Sequence, residues 1–194
     1  HFFIGKDGVF SSIFDFKQTM LGQEGKGWFD HALPTADELK ESIFQAHERA
    51  DSIGVLSTII ENHDEPRGVS HYIAEGPVND TSKKALGTIQ ILRKGIPFIY
   101  QGQEIGMENQ VFESVEDFDD IATINGYHVA KEAGLSEEEA LAAIANYSRD
   151  NARTPMQWSA EPGLGFSDGT AWLISPKPDV AINVEDQEKD PNSI

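Results

Sequence analysis

The chain has 194 residues, 39% of them hydrophobic, with 15 basic against 33 acidic side chains, a formal net charge of −18 and no cysteine. That length and apolar fraction exclude a disordered chain and allow one or two domains around a buried core. The charge argues against nucleic acid and anionic membrane surfaces as partners, and the lack of cysteine excludes disulfides, thiolate metal sites and thiol nucleophiles.

No stretch reaches the roughly 18 consecutive apolar residues needed to span a bilayer. The opening His1-Phe2-Phe3-Ile4-Gly5-Lys6 lacks the charged-then-apolar order of a signal peptide. A soluble chain is therefore expected, and because a reducing cytosol tolerates a cysteine-free sequence, a cytoplasmic location is the expectation. With no initiator methionine, and no helix closing at Asn192-Ser193-Ile194, the chain is expected to be a piece of a longer protein.

In chain order, residues 9 to 16 mix aromatic and β-branched residues in a short apolar run, which predicts a buried strand. A glycine-rich loop (Gly22, Gly25, Gly27) follows. Thr35 with Glu38 three residues on has the spacing of a capping box, and Leu39, Ile43, Ala46 and Ala50 continue at helical intervals. Gly54 to Ile60 is short and β-branched, a second strand, and runs into the polar cluster Glu61-Asn62-His63-Asp64-Glu65-Pro66-Arg67. A second helix is predicted over Ser82 to Lys94 with Gly95 as its stop. A third strand is predicted over Ile96 to Tyr100, its Pro97 near the start where a missing N–H is tolerated. Strand, helix, strand, helix, strand with βαβ connections favours an α/β fold with a parallel sheet. From about residue 101 the acidic residues Glu113, Glu116, Asp117, Asp119 and Asp120 cluster and the texture becomes that of an elaborated loop region. Within it Ser136 and Glu139 cap one short helix, and beyond Pro155 the chain is rich in Gly, Pro, Asp and Ser.

In parallel α/β folds the carboxyl ends of the strands face the site. Here those ends carry Asp15, then Asn62, His63 and Asp64, then Tyr100, Gln101 and Glu104. A carboxylate facing a closed cleft costs several kcal/mol unless a cation or hydrogen-bond donors offset it, and Arg67 is the candidate cation. Asp64 either accepts hydrogen bonds from substrate hydroxyls while His63 donates one, a pairing suited to sugars, or belongs to a capped turn. Glu104 is either a general acid or the partner of an arginine or of loop amides, and Asp15 reads as structural. Ser148 to Trp158 packs two arginines, Arg149 and Arg153, around an Asp and an Asn; this suits a hydrogen-bonded loop scaffold, and Trp158 can stack on a sugar or fill a core. Six histidines lack metal-ligand spacing, and no phosphate-binding glycine loop or serine-nucleophile elbow occurs. No metal or cofactor is expected.

Glu61 to Arg67, Gly95 to Met107 and Arg149 to Trp158, taken together and in this order, resemble glycoside hydrolase family 13, in particular its oligo-1,6-glucosidase and α-glucosidase branch. That branch also holds dextran glucosidase, trehalose-6-phosphate hydrolase and sucrose isomerases. The resemblance implies a partial TIM (β/α)8 barrel, with the three strands as the sixth, seventh and eighth. Residues 1–100 would be the C-terminal part of the catalytic barrel. Residues 101–194 would be a long insertion, a loop subdomain after the last strand, ending before the final barrel helix. It implies that Asp64 is the third catalytic carboxylate, binding sugar hydroxyls, that His63 bonds the same sugar, and that Arg149, Arg67 and Asn62 bind substrate, with Arg149 preferred to Arg153. The family's retaining mechanism uses a carboxylate nucleophile and a carboxylic acid about 5 Å apart. By the resemblance both lie upstream of His1, so the isolated chain is expected to be inactive and to need the remainder of its parent chain. Glu65 and Gln103 depart from the residues that relatives commonly carry. The expected activity is hydrolysis of terminal α-1,6- or α-1,4-linked glucose from oligosaccharides. The alternatives are a segment of a sucrose isomerase or a trehalose-6-phosphate hydrolase, or a non-catalytic half-barrel that binds a glucan or a complementary chain.

Overall fold

The computed structural model of the protein describes residues 3–22, 25, 27–73 and 78–194; His1 and part of the glycine-rich loop (23, 24 and 26) lie outside that set. Among the described residues, β1 (Ser12–Asp15), β2 (Val55–Thr58) and β3 (Ile96–Pro97) form one parallel sheet in the order β1-β2-β3. Phe14 stands opposite Ser57, and Thr58 opposite Pro97. Each strand is shorter than the run that predicts it. Val9 and Phe10 are exposed and precede the pairing, while β3 stops once the Phe98 N–H has bonded the Thr58 carbonyl at 3.0 Å.

Helix α1 (Ala36–Asp51) crosses from β1 to β2 and starts where predicted. Thr35 Oγ1 accepts from the Glu38 N–H at 3.2 Å, and Glu38 Oε2 accepts from the Thr35 N–H at 2.7 Å. A short helix, α2 (Gly68–Tyr72), and the longer α3 (Asp80–Leu92) lie between β2 and β3. Helix α3 starts earlier than predicted because Asn79 caps it, accepting from the Ser82 N–H at 3.1 Å, and it ends at Leu92. Gly95 is therefore not its stop. That residue sits at φ +139°, where a Cβ would lie 2.6 Å from Thr58 Cγ2 and 2.7 Å from the Leu56 carbonyl oxygen, so glycine is required by the close approach to β2.

Side chains alternate across the sheet. Ile13 and Leu56 pack on Ala46 and Ala50 of α1, and Ile60 packs on Val69, Ile73 and Leu86. The opposite face leaves Phe14, Val55 and Phe98 about half exposed, with Phe14 edge-on to Phe98 at 4.8 Å.

The region after residue 101 contains the predicted helix, α5 (Glu137–Tyr147), with its Ser136–Glu139 capping box, and a further helix, α4 (Ile121–Glu132), that the pattern does not predict. The two pack around Phe112, Phe118, Ile144 and Leu173. Beyond Pro155 the chain makes turns and the short α6 (Val184–Gln187).

The buried His71 of α2 lies edge-on to Tyr72 at 4.6 Å, and neither ring nitrogen has a hydrogen-bond partner among the described residues. Burial, with a smaller contribution from His31, pushes its imidazole down to about 4. The unfolded chain, with its ordinary histidine value of about 6.5, then binds more protons than the folded chain between those two limits. The stabilisation from neutral His71 is fully present above about pH 6.5 and is lost as pH falls toward 4. Denaturant unfolding at pH 7 and pH 4.5 is expected to show His71→Phe removing about 2 kcal/mol of the acid-induced loss; an unchanged pH dependence would locate that loss in other groups.

Candidate functional site

The carboxyl ends of the three strands open on one cleft of about 410 Å³. Its walls are Phe14, Phe16, Ile59, Phe98, Ile99 and Tyr100, and its border is Glu61 to Glu65. Strand ends and their loops are where parallel α/β folds bind ligands. Apolar rings beside a few polar groups suit a sugar, whose C–H faces stack and whose hydroxyls need donors and acceptors.

Asn62, His63 and Asp64 are brought together at this border. Asn62 Oδ1 accepts from the Asp64 N–H at 2.7 Å, an Asx turn that fixes the bend of the chain after β2. The Asp64 side chain is half exposed, and its Oδ2 lies 3.3 Å from His63 Nε2. Its Oδ1 accepts from Arg149 Nη1 at 3.1 Å and from Arg153 Nη2 at 2.9 Å, while Arg153 Nε donates to the His63 carbonyl at 2.8 Å. Ion pairs this exposed contribute about 0–1 kcal/mol each to stability. What they supply is orientation, since two guanidiniums from a distant part of the chain hold one carboxylate oxygen and leave the other toward His63.

Arg149 is itself anchored. Its Nε donates to Asp120 Oδ1 at 2.8 Å, and Asp120 Oδ2 caps α4 by accepting from the Thr123 N–H at 3.0 Å. Burial raises the Asp120 carboxyl, but the hydrogen bonds from Thr123 and Arg149 outweigh it and hold the group below the usual carboxylate range. The turn Arg149–Ala152 is also the scaffold its composition suggests: buried Asp150 accepts from the Asp119 and Asp120 N–H groups at 2.8 and 2.9 Å, and buried Asn151 accepts from the Gln110 N–H at 2.9 Å.

Arg67 is not the cation beside Asp64. It is fully buried behind the cleft wall, donating from Nη1 to the Gln101 carbonyl at 2.6 Å and to Glu61 Oε1 at 3.3 Å, and from Nε to the Asn151 carbonyl at 3.2 Å. Its Cζ lies 5.6 Å from the centroid of the Tyr100 ring, which lines the cleft. Glu61 also accepts from the Gly68 N–H, and burial pushes its carboxyl up against the pull of Arg67 and that amide. A Cβ at Gly102, with φ +87°, would strike the Met107 sulfur and come within 3.0 Å of Arg67 Nη1, so the guanidinium's path requires glycine there.

Glu104 is exposed and does not border the cleft, Asp15 accepts from Gln18 Nε2 at 2.6 Å in the turn after β1, and Trp158 is half exposed. Among the described residues no group of three or more His, Asp or Glu side chains is placed to hold a metal ion, and no helix is long and apolar enough to cross a membrane. The sequence reading missed Asp120, whose one local signal is the Asp-x-x-Thr spacing of a helix cap, and the inward placement of Glu61.

Residues 6–194 match the alpha-amylase catalytic domain. The chain belongs to that family. It is 41% identical over 182 residues to an oligo-1,6-glucosidase of Halalkalibacterium halodurans, covering 94% of this chain and 32% of that protein. It is 40% identical over 133 residues to a trehalose-6-phosphate hydrolase of Bacillus subtilis, covering 69% of this chain and 24% of that protein. The crystal structure of a trehalulose synthase from Pseudomonas mesoacidophila superposes with a TM-score of 0.88 at 34% identity, covering 98% of this chain and 35% of that one. The family resemblance carried by the three motifs therefore holds across the chain, and the parallel sheet is a part of an alpha-amylase catalytic domain. The chain spans about a third of the length of the curated relatives it matches.

Proposed function

We propose that the chain is a segment of a retaining α-glucosidase that removes terminal α-1,6- or α-1,4-linked glucose from oligosaccharides. The observation that carries this is Asp64, half exposed at an aromatic-walled cleft, with one oxygen held by Arg149 and Arg153 and the other toward His63. In this reading Asp64 and His63 are the catalytic groups of the segment. Asp64 binds hydroxyls of the glucosyl ring and its charge favours the oxocarbenium-like transition state, while His63 bonds the same ring. Arg149 closes the pocket floor, Asn62 sets the turn that presents Asp64, and Arg67 reaches the substrate through the Tyr100 ring it backs. The strands are the sixth to eighth of a (β/α)8 barrel, residues 1–100 its C-terminal part and 101–194 the subdomain after its last strand. The nucleophile and general acid come from the remainder of the parent chain, and the reaction needs no cofactor.

The full-length parent, given isomaltose or maltose, is expected to release α-glucose first, as followed by proton NMR of the anomeric signals. Release of β-glucose, or no release from either sugar, would reject the proposal. The likeness to a trehalulose synthase favours one second reading, sucrose isomerisation; its mark is a rearranged disaccharide rather than free glucose when the parent is given sucrose.

A further inference from the structure

Asp120 lies outside the cleft border, and its side chain is fully buried at the start of α4. A buried carboxylate is costly unless donors or a cation offset it, and here the two oxygens are offset by different elements. Oδ2 serves the helix, accepting from the Thr123 N–H at 3.0 Å and from Thr123 Oγ1 at 2.9 Å. Oδ1 serves Arg149 instead, with Nε at 2.8 Å and Nη2 at 2.6 Å. A helix cap needs only one oxygen, which serine or asparagine would also supply. The second oxygen and the charge are therefore in excess of what α4 requires.

A guanidinium is a rigid planar fork. With its Nε and Nη2 edge fixed on Asp120, its plane is set, and Nη1 is left to donate to Asp64 Oδ1 at 3.1 Å. The segments that carry the anchor and the arginine are themselves locked together, since Thr123 Oγ1 meets Ser148 Oγ at 2.9 Å and Asp150 accepts from the Asp119 and Asp120 N–H groups. Thr123, Ser148 and Asp150 are all buried. A buried, rigid support thus ends in a guanidinium and a carboxylate that are both partly exposed at the cleft.

We propose that Asp120 is a positioning residue for the reaction: acting through Arg149, it holds the Asp64 carboxylate where that group meets the glucosyl ring. This rests on the α-glucosidase reading and extends its site to a side chain that does not touch the sugar. Arg153, placed by the His63 carbonyl, holds the same Asp64 oxygen at 2.9 Å. Loss of Asp120 therefore misplaces Asp64 without freeing it.

The test is made in the full-length parent with p-nitrophenyl α-glucoside. Asp120→Asn and Asp120→Ser both keep a cap for α4 and remove the anionic partner of Arg149. Each is expected to lower kcat about tenfold with KM within about twofold, because the interaction lost is one that gains most in the transition state. In an Asp64→Asn background the same substitutions are expected to change kcat by less than about twofold, since Asp120 acts through a charge that is no longer there. Thr123→Val, which takes a hydroxyl from the support but leaves Asp120 facing Arg149, is expected to lower the melting temperature with kcat near normal. Normal kcat in a folded Asp120 variant, or an equal fall in kcat with and without the Asp64 charge, would overturn this inference alone. No hydrolysis by the unaltered parent would overturn it together with the α-glucosidase reading.

Discussion

Asp64→Asn in the full-length parent is expected to lower kcat/KM on p-nitrophenyl α-glucoside by about 100-fold or more, with little change in melting temperature. Asparagine keeps the shape of the side chain and an oxygen that can still accept from Arg149 and Arg153, which hold Asp64 at 3.1 and 2.9 Å. The turn set by Asn62 is untouched, because it uses the Asp64 backbone N–H. What the substitution removes is the negative charge at the cleft, an interaction that gains most when positive charge develops on the sugar ring. If Asp64 were only part of a turn, kcat/KM would stay near normal.

The chain's local chemistry was readable wherever the partners are close in sequence. Thr35 with Glu38 and Ser136 with Glu139 mark helix starts at the right residues, since a capping box needs nothing beyond its own four positions. The strands were readable as apolar runs, but their ends depend on pairing: β1 begins only where Ser12 meets Val55. Helix α4 was not legible. It carries β-branched Ile121, Thr123, Ile124 and Val129 and an internal Gly126, none favouring a helix, and it is held by the Asp120 cap and by packing on α5.

The site divides in the same way. The segment Asn62-His63-Asp64 could be placed at the end of a strand, because strand and loop are contiguous. The cation set could not. Arg67 lies three residues from Asp64 yet turns inward to Glu61, while Arg149 and Arg153 reach Asp64 from 85 and 89 residues away. Ion pairing at that separation is decided by tertiary packing, which leaves no periodic trace in sequence.

The 194-residue chain by itself is expected to give no turnover of isomaltose, maltose or p-nitrophenyl α-glucoside above background, a loss of several powers of ten relative to the parent. A retaining mechanism needs two carboxyl groups about 5–5.5 Å apart across the scissile bond. Besides Asp64, the carboxyls at the cleft border are Glu61, which is tied to Arg67 and the Gly68 amide, and its neighbour on the same segment, Glu65. The scaffold points to the same result. A barrel core is filled by side chains from all its strands, whereas the face of this sheet away from the helices leaves Phe14, Val55 and Phe98 about half exposed. Such a face and its open strand edges favour association, so sedimentation of the same sample is expected to show species larger than a monomer. Turnover with retained configuration by a monomeric sample would place a complete catalytic pair within these residues and would reverse the assignment of Asp64 as a supporting carboxylate.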